Sequence, residues 1–242
     1  MLTSVISNSP RGLDCTARAL DLDPQSSFGL TIDGFVNGNI LKNMDIAEKR
    51  YSAAQEINPS ESLAWLLRGS LMAFSDEGQS AIRATTMARD LSPIDPFGYY
   101  FDSLASSAHL AGGEYEKALA LADKSFAAND RHISTLRTRI AALHALDRGD
   151  EARVAAQDLM RRFPYFRLED YRKTHPSADR KIGKKVVLVH RGEARCRGAR
   201  HAGCKVAVAL TPTFDRAWDA RRVGTAATEA EVGFERAAGA SG

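Results

Sequence analysis

The chain has 242 residues, of which 44% are hydrophobic and 26% charged, with 33 Lys/Arg against 30 Asp/Glu for a formal net charge of +3. That balance describes a folded, water-compatible chain of one or two domains. It excludes a membrane-spanning helix, since no apolar run approaches the roughly 20 residues one needs, and three cysteines are too few for a disulfide framework, so a reducing cytoplasm is expected.

Taken in order, Met1–Pro10 lacks the charged and apolar regions of a secretory signal. Ala17–Pro24 reads as the end of a second helix whose hairpin mate is missing, so residues 1–23 are expected to be a leading orphan helix and the chain to begin inside a longer array. Cys15 on that helix reads as a small apolar filler. Helical spacing then predicts pairs: Gln25–Leu41 with Met44–Ile57; Glu61–Phe74, with Ser60 as its N-cap, with Gln79–Leu91; Phe97–Ala111 with Glu114–Ala128; and Ile133–Leu146 with Gly149–Arg162. No segment before residue 186 alternates with period two, so no strand is expected there.

The pairs recur. Pro24, Pro59, Pro93 and Pro164 stand 35, 34 and 71 residues apart, and 71 is close to two periods. The phrases before the first three match: Ala19-Leu-Asp-Leu-Asp-Pro24, Ala54-Gln-Glu-Ile-Asn-Pro59 and Ala88-Arg-Asp-Leu-Ser-Pro93. A looser copy, Ala127-Ala-Asn-Asp130, fills the gap. A helix–turn–helix unit of this length with a Trp…Gly…Ala…Ala…Pro skeleton resembles the tetratricopeptide repeat. In the second period Trp65, Gly69, Ala81, Ala88 and Pro93 stand at the family's spacing. The third adds Gly113, Tyr115 and Ala118; the fourth gives Leu136, Leu143, Ala152 and Pro164; the first gives Gly34, Ala47, Tyr51, Ala54 and Pro59, with one extra residue in the turn near Asn43. Ser106 and Ile140 depart from the small glycine, Leu159 from an alanine, and Arg68 from an apolar residue. The resemblance spans residues 12–175 and implies an all-α solenoid of about four repeats over residues 24–164.

Physical reasons support the skeleton independently. Antiparallel helices approach most closely where both side chains are small, so Gly69 facing Ala81 sets the spacing, and a larger residue there costs about 1–3 kcal/mol. Proline stops the second helix and sets the corner. A single hairpin cannot bury its own apolar face, so the hairpins must stack. Trp65, Tyr51 and Tyr115 are expected to pack between repeats.

After Pro164, residues 165–189 read as capping helices, Leu168–Lys173 and then Ala178 to about Val189 behind Ser177. This closing phrase and Leu91-Ser-Pro-Ile-Asp-Pro96 resemble, more loosely, the C-terminal repeat region of bacterial regulators that carry a nucleotide-cyclase or winged-helix domain ahead of it. From residue 190 the chain is basic and without lasting period: residues 180–242 carry 13 Lys/Arg and 6 Asp/Glu, a net of +7, against −4 for the rest. Disorder is expected there, although Val186–Val189 and Val206–Leu210 are short strand-like runs.

Catalytic chemistry is not expected. Gly183-Lys184-Lys185 lacks the frame of a phosphate loop, no nucleophile has a base near it in sequence, and Asp147, Asp150 and Glu151 suit the start of a helix. His190, Cys196, His201 and Cys204 fall within fifteen residues but not in the paired spacing of a zinc site, so no metal and no cofactor is expected. Nucleic-acid contact through the tail is disfavoured, because only Phe214, Trp218 and Phe234 could stack on bases after residue 190. What remains is the groove that the resemblance implies along the first helices, with Phe28, Thr31, Phe35, Leu66, Ser70, Phe74, Tyr100, Ser103, Ser107, Arg137, Ala141 and His144 facing it by position. Only Arg137 among them is basic. A protein or peptide partner, apolar or mixed in character, is therefore expected in place of a clamp for a C-terminal carboxylate.

Overall fold

The four expected hairpins are formed, and each of their second helices has the same length. In the computed structural model, which describes residues 2–177 (side chains for 12–177 apart from 168 and 172), helix α1 spans Leu2–Leu22 and α2 spans Ser27–Phe35, the latter continued by one π-helical turn over Val36–Ile40. Then follow α3 (Met44–Ile57), α4 (Ser62–Phe74), α5 (Gly78–Leu91), α6 (Gly98–Gly112), α7 (Tyr115–Ala128), α8 (Ile133–Ala145), α9 (Gly149–Arg162) and α10 (Leu168–Thr174). No strand occurs among the described residues. The second hairpin helices α3, α5, α7 and α9 are each 14 residues long. The expected helix after residue 178, the strand-like runs, the histidine–cysteine cluster and the basic tail lie outside the described residues.

From α1 to α9 each helix packs on its neighbours in sequence, and the first helices also pack on one another, α2 on α4, α4 on α6 and α6 on α8. Among the described residues no pair of second helices packs to that extent. The first helices therefore form the tighter, inner layer of the stack.

Within a hairpin the turn is set by one residue in the left-handed region: Lys42 (φ 59°), Asp76 (φ 66°), Gly113 (φ 82°) and Asp147 (φ 59°). Between hairpins the corner is set by a side chain. Asp23, Asn58, Asp95 and Asn129 each accept, through Oδ1, the backbone N–H two residues on, at 3.1, 3.1, 2.8 and 3.0 Å. This turn needs Asx, not proline, which is why Asn129-Asp130 makes the same corner as Asn58-Pro59. It also corrects the expected N-cap of α4. Ser60 spends its backbone N–H on Asn58, the helix starts one residue later, and Glu61 occupies the cap position.

A second correction concerns the extra residue of the first repeat, expected in the turn near Asn43. The left-handed residues Lys42 and Asp76 are 34 apart, whereas α2 and α4 start 35 apart. The surplus residue is absorbed inside the first helix, where the π-helical turn closes with Leu41 N–H donating to Val36 O at 3.2 Å.

The alanine seams are buried as the skeleton requires: Ala47, Ala54, Ala81, Ala88, Ala118 and Ala152, with Leu136 beside the last of them. A Cβ on Gly69 would stand 2.7 Å from Thr85 Cγ2 and 3.2 Å from the Ala81 carbonyl oxygen, so only glycine permits this approach. At the equivalent place in the third hairpin, Ser106 Oγ donates to the Ala118 carbonyl at 2.6 Å. Gly34 lies under the ring of Tyr51, which is itself buried. Trp65 packs beside that ring and its indole N–H donates to Pro59 O at 2.8 Å, while Tyr115 packs on the core of the last two hairpins. Pro93 follows the end of α5, and the Pro164 carbonyl accepts from Arg167 at 2.8 Å. Arg68 reaches back to Glu48 and Gln55 on α3, tying the first two hairpins together.

Helix α1 runs unbroken from Leu2 and packs against α2. Its anchor is polar. Thr16 Oγ1 donates to Asp33 Oδ1 at 2.7 Å, and the same buried carboxylate takes Arg50 Nε at 2.7 Å and Asn37 Nδ2 at 3.2 Å. A buried carboxylate demands such partners. Cys15 is not a filler: the helix turns Thr16 inward and leaves the thiol exposed.

Candidate binding groove

The inner face carries a small, partly open cleft in which three of the expected groove residues meet. Phe74 closes it from the end of α4, Leu104, Ser107 and Leu110 line it from α6, and Ser134, Arg137 and Thr138 from α8. Residues three or four apart share one helix face, which brings these side chains to a common surface. Ser107 Oγ and Thr138 Oγ1 are 3.2 Å apart, joining α6 to α8.

The opposite wall was not anticipated. It is a later segment of the same chain, Tyr171, His175 and Ser177. First helices start at residues 27, 62, 98 and 133, and α10 starts at 168, in the register of a fifth first helix. It stops after seven residues, before His175-Pro176, and the chain enters the cleft. The His175 ring meets Phe74 edge-on at 5.0 Å and Tyr171 at 4.5 Å. The Lys42 ammonium, from the turn of the first hairpin, donates to the Lys173 carbonyl across 131 positions of sequence.

The electrostatics follow from this arrangement. The Arg137 guanidinium lies 4.7 Å from the Tyr171 ring centre, and its Nη2 donates to Ser134 Oγ at 2.7 Å. No ion pair to a carboxylate engages Arg137 among the described residues. Burial lowers its pKa, and Tyr171 opposes that shift. His175 is pushed well below the ordinary imidazole value by burial, then by Arg137 and Lys42. It is therefore neutral, and its Nδ1 accepts from the Ser177 backbone N–H at 3.3 Å, which leaves the proton on Nε2. At the seam between α6 and α8, burial, with Arg137 adding to it, lowers His132 to about 4. His132 stands against the rings of Tyr99 and Tyr100 at 5.6 and 5.7 Å, with Nδ1 2.9 Å from Thr135 Oγ1. Burial also raises the Tyr100 phenol to about 12.

The other expected groove residues are spread more widely. Thr31, Leu66, Ser70, Ser103 and Ala141 are buried in the packing of the inner layer, and Thr31 Oγ1 donates back to Ser27 O at 2.8 Å. Ser103 Oγ is buried without a hydrogen-bond partner. Phe35 and Tyr100 pack against the core around Tyr51. Phe28 is 52% exposed, well away from the cleft lining, and His144 is half-buried near the end of α8. Among the described residues no group of three His, Cys, Asp or Glu is placed to hold a metal ion, and no helix is long and apolar enough to cross a membrane.

No family model matches the sequence, and no curated protein matches it. Solved structures do. The chain resembles the crystal structure of PilW, described as a widely conserved type IV pilus biogenesis factor, at 14% identity and a TM-score of 0.59, over 74% of this chain and 83% of that one. The chain is a tetratricopeptide-type α-solenoid. Weaker likenesses link this solenoid to MamA (16% identity, TM-score 0.48, 67% of this chain and 92% of that one) and to YrrB, described as a TPR protein with an unusual peptide-binding site (12%, 0.49, 74% and 90%).

Proposed function

We propose that this solenoid is a non-catalytic protein-interaction module that takes a protein or peptide segment along the inner face of α4, α6 and α8. The observation that carries the reading is the cleft itself. It combines apolar walls from Phe74, Leu104 and Leu110 with a guanidinium, Arg137, that no carboxylate of the described chain neutralises. Apolar contact supplies the driving force, and the single cation supplies direction and selectivity. Affinity capture by the full chain, wild type against Phe74→Ala/Arg137→Ala with Phe35→Ala as a core control, tests it. Loss of the captured partners in the double variant is expected, and an unchanged set counts against the groove. A narrower reading, the regulatory or scaffold part of a cytoplasmic signalling protein, is supported only by the phrase Leu91–Pro96 and the closing segment. On that reading the chain forms no cyclic nucleotide, and an assay detecting cyclase activity would contradict it.

A further inference from the structure

The segment that fills the cleft has the character of a ligand. It is the stub of a fifth first helix, and an isolated helix of seven residues is marginal in water. Apart from Tyr171, which is buried in the core cluster of the last two hairpins, its hold on the stack consists of the His175 ring edge-on to Phe74, the Arg137 guanidinium over the Tyr171 ring, and one ammonium-to-carbonyl hydrogen bond; the Tyr171–His175 ring contact lies within the segment itself. These contacts cross from α10 to three different hairpins, at Lys42, Phe74 and Arg137, whereas the hairpins are held to one another by continuous buried seams. Elements held by few contacts open first.

We propose that residues Tyr171–Ser177 occupy the partner site in cis, and that the partner is a peptide of the same chemistry. It would carry two ring side chains one helical turn apart, and would enter only as this segment leaves. The proposal rests on the groove reading above and adds to it the ligand class and a built-in competitor. The segment itself defines the class, with Tyr171 and His175 at i and i+4. The rings answer Phe74 and Arg137. Glu169 and Asp170 pair with neither Lys42 nor Arg137, so the two rings carry the recognition. An occupant carrying a positive charge between those two cations is disfavoured, and the resident imidazole accordingly stays neutral. Because the tether makes the cis segment effectively concentrated at the site, a free peptide binds measurably only when the cis contacts are weakened.

The test uses the full chain and a fluorescein-labelled peptide of residues 165–177, followed by fluorescence anisotropy. Tyr171→Ala/His175→Ala is expected to bind the peptide at least tenfold more tightly than wild type, and adding Arg137→Ala to that variant should remove the gain. Equal binding by wild type and the double variant, or binding by neither, overturns the proposal. Amide hydrogen exchange on the wild-type chain gives a reading that no variant can spoil. The N–H of His175, which donates to Tyr171 O at 2.8 Å, should be protected at least tenfold. Phe74→Ala should release it while α6 and α8 stay slow. An unprotected amide in wild type also overturns the proposal. Failure of the groove reading looks different: partner capture would then ignore Phe74 and Arg137 whether or not the segment is docked.

Discussion

The second and fourth hairpins have the same lengths and register yet are held together in opposite ways. In the second, Gly69 meets Ala81 and Thr85 with no room for one further carbon, and Ala88 follows one heptad on. In the fourth, Ile140 stands where Gly69 does, Ala152 matches Ala81, and Leu159 replaces Ala88, all of them buried in one cluster with Tyr171 of α10. An internal hairpin has a complete neighbour on each side and is set by close backbone approach. Among the described residues the fourth hairpin is followed by a seven-residue helix, and there bulk on the hairpin's own helices fills the space. The repeat therefore preserves geometry, not composition, and in the fourth hairpin side-chain volume takes the place of close backbone approach.

Four experiments break or sharpen that contrast. The largest effect is expected from Ile140→Ala, which empties the fourth hairpin and should cost about 2–5 kcal/mol in chemical denaturation; a loss under about 1 kcal/mol would mean that the site collapses around the smaller residue. Acid comes next and should act on the fourth hairpin and the closing segment before the second hairpin. His132 faces Tyr99 and Tyr100 from α6 and Thr135 and Arg137 from α8, and its folded value of about 4 lies below the ordinary 6.5. A depressed imidazole leaves stability intact above about 6.5 and lets it fall as pH drops toward 4, by at most about 1.4 kcal/mol per unit. His175, also depressed and facing Arg137, Lys42 and Tyr171, adds in the same direction. Exchange protection in α8 and α10 should therefore decline with acid before that of α4 and α5, a hairpin without histidine; uniform loss would contradict this. Gly69→Val should destabilise the second hairpin by about 1–3 kcal/mol through overpacking, with a lowered midpoint in urea. The smallest effect is Ser106→Ala in the third hairpin. It removes a donor to the Ala118 carbonyl and should cost about 1 kcal/mol.

Much of the architecture was legible in the residues. The bounds read from spacing for Met44–Ile57 and Gly149–Arg162 coincide with α3 and α9, because four repeats in phase correct one another where a single period is ambiguous. The corners were legible through their prolines, although an Asx side chain does the turning, just before Pro24 and Pro59 but two residues after Pro93, and Asn129 shows that it suffices alone. The π-helical turn left only a one-residue surplus, with nothing in composition to say whether a turn or a helix absorbs it. Cys15 was misplaced because a helix with one visible end leaves its inward face undetermined. The groove was legible as a face but not as a site. Phe74, Ser107 and Arg137 converge as their positions suggest, whereas Tyr171, His175 and Lys42, which stand 34, 38 and 95 positions from Arg137, come together by a path that no periodicity records. The one available signal was the 35-residue interval from α8 to α10, which places an unfinished first helix on the inner face.

The most direct measurement is amine cross-linking of the full-length monomer with a short spacer, read by mass spectrometry. If stacked hairpins bring the first turn to the closing segment, a Lys42–Lys173 link forms within single chains and weakens in Tyr171→Ala/His175→Ala. Links from Lys42 confined to its own hairpin, with none to Lys173, would contradict the account.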